Sequence, residues 1–250
     1  MKERPILFST PMVQAVDDDR KTVTRRVVNM LKEGITEATW GYTAFTPDGH
    51  ISFRARHANG EYGESFVKIP YGLKGDILYV REVYYDYGLW EENGHTKTGK
   101  RKWKFVSLIP SSADIRYCEN PPEDVKPNSY RKLGWYKRLG RFMPYRYVRT
   151  KLEIVSIRVE RLHDITEEDA IREGLAKITK DGGRNWKYGI PDKDGLPGTD
   201  DIGWPWIEWE ISARDAFKKL WVKINGDDSW KDNPWVWRIE FTVLPQPPQI

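Results

Sequence analysis

The chain has 250 residues, of which 31% are charged and 39% hydrophobic, with a formal net charge of +4. It is long enough for one elaborated domain with a substantial core. It carries no apolar run near 18 residues and no signal-like start, so a soluble, cytoplasmic protein with no membrane partner is expected. The single cysteine, Cys118, rules out an internal disulfide framework. The four histidines, His50, His57, His95 and His163, form no Cys/His cluster at zinc spacing, which argues against a zinc deaminase and leaves no metal or cofactor implied.

Residues 4 to 8 read as a short strand, and Ser9-Thr10-Pro11 as a helix start with a hydroxyl cap and proline just inside. That helix must end within Asp17-Asp18-Asp19, because Thr22-Val23-Thr24 has strand propensity. Turn signals at Thr46-Pro47-Asp48-Gly49 and Ala58-Asn59-Gly60 predict β-hairpins over 35–72. Ile77 to Tyr85 follows as a strand, with Leu78, Val80, Glu82 and Tyr84 on one face. Residues 86 to 125 read as loops and short strands, broken at Glu91-Glu92-Asn93-Gly94 and Asn120-Pro121-Pro122.

From Lys126 to Lys151 the chain carries nine basic residues and no acid, so the remainder is net acidic. Tyr130, Trp135, Tyr136, Phe142, Tyr145 and Tyr147 are interleaved with these charges. Cations for phosphates and aromatic faces for bases are the two ingredients of single-strand recognition, which makes Arg131, Lys132, Lys137 and Arg138 candidate nucleic-acid contacts. The competing reading is a solvated insertion anchored by its aromatics. Arg146 and Arg149, just before the next strand, are candidates for either the pocket or the scaffold.

Leu152 to Leu162 predicts a long strand, with Val155, Ile157 and Val159 on one face. Thr166 then caps a helix with an acidic first turn, and Gly174 stops it. Glu173 is left in the last turn, where a negative charge opposes the macrodipole, a local mismatch that hints at function. Lys177 to Pro205 reads as a long irregular loop. A helix from about Ser212 carries the core stripe Ala213, Phe217, Leu220, Trp221 and Ile224, ending at Asn225-Gly226. The last strand alternates Trp235, Trp237, Ile239, Phe241 and Val243 against Val236, Arg238, Glu240 and Thr242. The expected organisation is one domain over 1–244, with insertions near 35–72, 86–135 and 177–208 and a disordered tail at 245–250. Its class is α+β, on a small curved or closed sheet.

The chemistry concentrates in Arg20-Lys21-Thr22-Val23-Thr24-Arg25-Arg26. Lysine serves as a base near neutral pH when burial or neighbouring cations lower its pKa, and Arg25 and Arg26 are such cations. Thr24 offers a hydroxyl nucleophile. On a regular strand Lys21 and Thr24 would point oppositely, so Lys21 approaches Thr24 only from the turn. The plainer reading of the same residues is a solvated helix end running into an edge strand.

This run, the Gly75-Asp76-Ile77-Leu78-Tyr79-Val80-Arg81-Glu82 strand, and the ending Trp221 to Phe241 with Asn225-Gly226, Trp230 and Asn233-Pro234-Trp235 resemble the ASCH family. The resemblance is to its phage and prophage branch, and it implies a PUA-like small β-barrel with flanking helices and a bacterial host cell. In the small bacterial N4-acetylcytidine amidohydrolases of that family, a lysine and a threonine of an Arg-Lys-Thr-x-Thr-x-Arg motif act with a glutamate on a later helix. Carried over, the resemblance implies Thr24 as nucleophile, Lys21 as its base and Glu173 as proton donor to the leaving amine. Arg26, Glu82, Arg146, Arg149 and Trp230 are then expected around the substrate. Asp19 stands where family members commonly have Gly before Arg-Lys-Thr.

The leading expectation is therefore a protein acting on a modified nucleoside or single-stranded nucleic acid, by amide hydrolysis of an N4-acylated cytidine. Two alternatives belong to other classes. One is a noncatalytic RNA or modified-DNA reader; the other is a single-strand ribonuclease in which Lys21 and the arginines stabilise a phosphorane-like transition state.

Overall fold

The computed structural model describes residues 1–29, 35–46, 49–57, 59–111, 114–199 and 202–245, with backbone alone for 35–45 and 55. Residues 246–250 of the expected disordered tail lie outside the described residues, as do Pro47, Asp48 and Ala58 of the two expected turns.

The elements in chain order begin with β1 (Glu3–Leu7), α1 (Thr10–Asp17), β2 (Val23–Val27), β3 (Ile35–Phe45), β4 (His50–His57) and β5 (Tyr62–Lys68). Next come β6 (Ile77–Arg81), β7 (Tyr84–His95), β8 (Arg101–Ser107), β9 (Arg116–Tyr117), β10 (Val125–Lys126) and β11 (Gly134–Arg138). The chain finishes with β12 (Lys151–Arg161), α2 (Glu167–Arg172), β13 (Ala176–Ile178), β14 (Lys187–Gly189), α3 (Ala213–Asn225) and β15 (Trp235–Val243). Many strands in several sheets with few helices make a mixed α and β architecture. None of the described helices is long and apolar enough to cross a membrane.

The chain divides into two compact units, with boundaries inside β1 and β6. The first holds residues 1–5, 11–79 and 150–250. Its main sheet has the order β1-β6-β12-β15-β2 and, among the described residues, does not close into a barrel. β15 lies between β12 and β2 and pairs antiparallel with both, so Ile239 faces Ile157 on one side and Thr24 on the other. A central strand has no solvent-facing edge, and here both of its faces are covered. Val236 and Arg238 are therefore buried along with Trp237, Ile239 and Phe241. The same unit contains the antiparallel meander β3-β4-β5, as the hairpin signals predict, and the β13-β14 ribbon inside the long loop.

Two sequence expectations in this unit change. Leu152 and Ile154 are buried on β12, yet Val155 is exposed, because a register shift between Ile154 and Ser156 resets the alternation before Val159 turns inward. On α3 the buried stripe is Ala213, Ala216, Phe217, Leu220 and Trp221, whereas Ile224, expected in the core, is exposed in the last turn.

The second unit holds residues 6–10 and 80–149. Its sheet runs β10-β11-β7-β8, with β9 also on β7. The strand expected from Ile77 to Tyr85 is interrupted after Arg81, leaving Glu82 between β6 and β7. β7 also continues through the expected breaker Glu91-Glu92-Asn93-Gly94 to His95, absorbing it in a register shift against β8. Tyr84, Ile115, Met143 and Tyr147 form a core cluster in this unit. Trp90, Phe105 and Tyr136 meet edge to face, with centroids 5.4 to 6.3 Å apart.

Candidate functional site

The basic run lies in the first unit, where α1 turns into β2. α1 ends at Asp17, and Asp19 takes the left-handed conformation with φ 56°, at the position where the resembled motif has Gly. Arg20 and Lys21 then both donate their backbone N–H to Ala15 O at 2.8 Å, which folds the chain back under α1. Lys21 sits in that turn, just before β2, and bridges to Glu173 through an isolated antiparallel pair.

Glu173 is placed by α2. The Thr166 side chain accepts from Asp169 N at 3.1 Å and caps the helix, whose first turn is acidic. Glu173 forms the C-cap, and Gly174 follows with φ 108°. A Cβ on Gly174 would lie 2.8 Å from Ala15 Cβ and 3.2 Å from Lys21 Cβ. The glycine thus serves both the left-handed turn and the close approach of α2 to the lysine.

Lys21 Nζ donates to Glu173 Oε2 at 2.8 Å, to Glu173 O at 2.7 Å and to Val23 O at 2.9 Å. These occupy the three donors of an ammonium, and Thr24 is not among the acceptors. Burial of Lys21 pushes its pKa below the ordinary lysine value against the opposing pull of Glu173. Thr24 is buried on β2, and its hydroxyl makes no hydrogen bond to another described residue.

Behind these residues lies a buried ionic cluster. Arg25 donates to Glu173 Oε1 at 3.2 Å, to Asp169 Oδ2 at 2.6 Å and to Glu160 Oε1 at 2.6 and 2.9 Å. Arg238 grips Asp169 with both ends of its fork, at 2.8 and 2.7 Å. The Arg238 hydrogen bonds hold the Asp169 carboxyl well below the usual range, with Arg25 adding to the effect. The buried cations Lys21, Arg25 and Arg238 are thus each paired with at least one carboxylate of Glu173, Asp169 or Glu160, as burial of a charge requires, and the network extends outward through Arg158, Arg172 and Glu240.

A cavity of about 60 Å³ opens onto this cluster. Lys21, Thr24, Arg25, Arg26 and Glu173 line it together with Met12 and Val27 and with the α3 residues Phe217, Leu220, Trp221, Ile224 and Asn225. Burial pushes the Arg26 guanidinium downward in pKa, with Tyr71 and Glu173 opposing. The three residues proposed to act together thus line one cavity, although Glu173 follows the other two by about 150 positions.

The remaining candidates lie elsewhere. Glu82 is gripped by Arg149, with Nε to Oε1 at 2.7 Å and Nη2 to Oε2 at 2.8 Å, and Arg149 also reaches Glu119. Both belong to the second unit, as does exposed Arg146, whose Nη2 donates to Tyr147 Oη at 2.8 Å. Trp230 is in the first unit but stacks on His163, with centroids 4.7 Å apart, and is not among the cavity's lining residues.

Arg131, Lys132 and Lys137 of the basic segment are exposed, and Arg138 is half-buried. Arg131 lies over Trp103 at 3.9 Å, and Arg138 lies over Phe105 and Trp90 at 4.3 and 4.7 Å. Tyr136 and Tyr147 are core residues, whereas Tyr130, Phe142 and Tyr145 are exposed.

Asp169, Glu160 and Arg238 were not among the sequence-derived candidates. A signal existed for Arg238, a charge placed among apolar residues of a strand that reads as buried. Among the described residues, no group of three His, Cys, Asp or Glu is disposed to hold a metal ion. No family model, curated protein or solved structure matches this chain.

Proposed function

We propose that this chain is an ASCH-type protein with a PUA-like body that hydrolyses the amide of an N4-acylated cytosine, in a nucleoside or a single strand. The observation that carries this reading is the meeting in one cavity of a buried lysine of lowered pKa, a carboxylate hydrogen-bonded to it and a threonine hydroxyl with no hydrogen-bond partner among the described residues.

The chemistry follows from the 2.8 Å hydrogen bond between Lys21 Nζ and Glu173 Oε2. Shifting its proton converts the ion pair into an amine and a carboxylic acid. Arg25 favours the carboxylate, but it also pairs with Asp169 and Glu160, which limits the charge it directs at Glu173. The Lys21 amine takes the Thr24 proton, directly or through one water, as Oγ1 forms a bond to the acyl carbon. Glu173 then gives its proton to N4 as the C–N4 bond breaks. The products of this half-reaction are a cytosine amine, an acyl ester on Thr24 and the restored ion pair. For the second half-reaction the shared proton shifts again from Lys21 to Glu173; the Lys21 amine takes a proton from water as the water oxygen bonds to the acyl carbon, and passes it to Thr24 Oγ1 as the ester C–O bond breaks, giving the carboxylic acid and the free hydroxyl before the proton returns from Glu173 to Lys21.

The test is incubation of the full chain with acylated and alkylated nucleosides and oligonucleotides, read by mass. Loss of the acyl group from N4-acetylcytidine is expected, with N4-methylcytidine unchanged. If the folded protein at high concentration removes no acyl group from any substrate, the hydrolase reading fails. A second reading, single-strand binding, is favoured by the exposed Tyr130, Phe142 and Tyr145 among exposed lysines such as Lys132 and Lys137. It predicts nucleic-acid binding with or without hydrolysis.

A further inference from the structure

The sheet of the second unit has two unlike faces. Its registers place Trp90, Phe105 and Tyr136 on one of them, where the three rings meet and Tyr136 is buried. Side chains alternate along a strand, so the residues next to these point the other way. On that other face one row crosses the sheet. Val125 of β10 pairs with Trp135 of β11, Trp135 pairs with Tyr87 of β7, and Tyr87 O accepts from Leu108 N, just past β8, at 2.9 Å. The Tyr87 and Trp135 rings meet edge to face with centroids 5.4 Å apart, as neighbours on one side must.

This row is open to solvent. Val125 is 37% exposed and Leu108 50%, and Tyr87 and Trp135 are half-buried. Cations border it. In the adjacent row, exposed Lys137 and exposed Arg116 pair with Tyr85 from either side. Beyond Leu89 and Val106 on the opposite border, exposed Lys104 pairs with Glu91. An aromatic and aliphatic strip is thus edged by three cations and one carboxylate.

We infer that this open face of the β10-β11-β7-β8 sheet is the bed of a single-stranded nucleic acid, with bases against Trp135 and Tyr87 and phosphates at Lys137 and Arg116. The inference rests on the single-strand reading above, for which it names the surface, and it is independent of hydrolysis in the cavity of the first unit. An unpaired base offers its π-face to an aromatic side chain, whereas a base inside a duplex has both faces covered by its neighbours. Successive rows on one face lie about 7 Å apart along a strand, a distance that a nucleotide spans between base and phosphate. A second copy of the chain fits less well, because a two-fold contact through this face would bring its bordering cations toward their own copies. The stacking faces and the phosphates are common to RNA and DNA, so both should bind.

The experiment uses the full chain with short RNA and DNA oligonucleotides that carry bromouracil. Photocrosslinking followed by peptide mapping by mass should place adducts on Tyr87 and Trp135. In anisotropy titrations Tyr87→Ala and Trp135→Ala should each weaken binding roughly five- to 150-fold, the value of one stacked base. Lys137→Ala with Arg116→Ala should weaken it too and lower its salt slope by about 1. The same sequence as a duplex should bind more weakly than the single strand. A melt of each variant shows whether the loss is one of folding, and should an aromatic variant melt much earlier, the adducts on the parent chain decide. Adducts confined to Tyr130, Phe142 and Tyr145, with affinity unchanged in Trp135→Ala, overturn the inference and leave the single-strand reading standing. A parent chain that binds no single strand removes both. Self-association that Trp135→Ala abolishes, or polyglutamate bound as tightly as the oligonucleotides, assigns the face to a protein partner and overturns the inference as well.

Discussion

Glu173 holds Lys21 twice, accepting from its ammonium through the backbone carbonyl at 2.7 Å and through the carboxylate at 2.8 Å. One residue therefore fixes the position of the amine and shares its proton. If this pair activates Thr24, then Thr24→Ala and Lys21→Ala should each lower turnover of N4-acetylcytidine by roughly 10³-fold or more while binding changes far less. Thr24→Ser retains the hydroxyl and should keep a measurable fraction of the rate. Single-turnover kinetics beside equilibrium binding separates these outcomes. Equal rates for Thr24→Ser and Thr24→Ala would mark a threonine that only packs.

The pH profile carries a sign. Burial lowers the Lys21 pKa, so the amine form accumulates below the ordinary lysine range of about 10.4. The reaction needs the one proton that the pair shares, so the hydrolytic kcat/KM should fall as that proton is lost, at a pH below that value. Glu173→Gln removes the Coulombic and hydrogen-bond contributions that raise the Lys21 pKa and leaves Lys21 as a base with no shared proton, so its residual activity should instead rise with pH, with a midpoint below that of the parent's fall. A parent profile that rises through this range, or a midpoint that stays fixed in Glu173→Gln, would separate the pair from the observed titration.

Asp169 should matter for stability more than for chemistry. Its carboxyl titrates well below the usual range, so the stability it supplies is present above the unfolded value near 3.9. It is lost as pH falls through the lower folded value. Replacing it with Asn leaves Arg238 and Arg25 facing a neutral group while both are buried, and should cost about 3–5 kcal/mol. Urea unfolding at neutral pH and in acid measures both effects. The variant should lose less than the parent when the pH is lowered.

Gly174→Ala tests the spacing between α2 and the lysine. The added methyl would meet Ala15 Cβ and Lys21 Cβ, in a left-handed conformation that alanine adopts only with strain. A destabilisation of roughly 1–3 kcal/mol is expected. Turnover should fall beyond what the lost folded fraction explains, because the collision displaces Lys21 itself. Activity per folded molecule is the deciding measurement.

The basic segment should separate into two behaviours. Lys132→Ala with Lys137→Ala should weaken single-stranded nucleic-acid binding and lower its salt slope by about 1 to 2, with stability unchanged. Arg138→Ala also removes a guanidinium from over Phe105 and Trp90, so it should lower the melting temperature as well. Binding isotherms at two salt concentrations and a melt for each variant make the comparison. An unchanged affinity in the lysine double variant would assign both residues to solvation.

Local rules carried much of the fold. The Thr166 cap, the Gly174 stop, the Ser212 start of α3 and the hairpins before residue 72 follow from residue chemistry within a few positions. The features that depended on distant partners were not legible. The bulge at Ile154/Ser156 depends on how β15 lies against β12, and no local pattern announces it. Glu82 reads as a carboxylate on an apolar face, and only the arrival of Arg149 from a remote position makes it a paired structural group. At the site, Lys21, Thr24 and Glu173 could be singled out from motif and cap position. Arg25 could be seen as a neighbouring cation, but not as the hub linking Glu173, Asp169 and Glu160, because those carboxylates arrive from β12 and α2.

The Glu167 carboxylate, at the first residue of α2, accepts from Ser212 Oγ at 2.8 Å and from Ala213 N at 2.7 Å, at the start of α3. One side chain thus clamps the helix that ends at Glu173 to the helix that carries Trp221. The width of the cavity is consequently a property of that clamp as much as of its own lining. A change at Glu167, whose carboxylate grips α3 at its first turn, would alter that width, and on the hydrolase reading proposed above it would change the acyl chain lengths accepted.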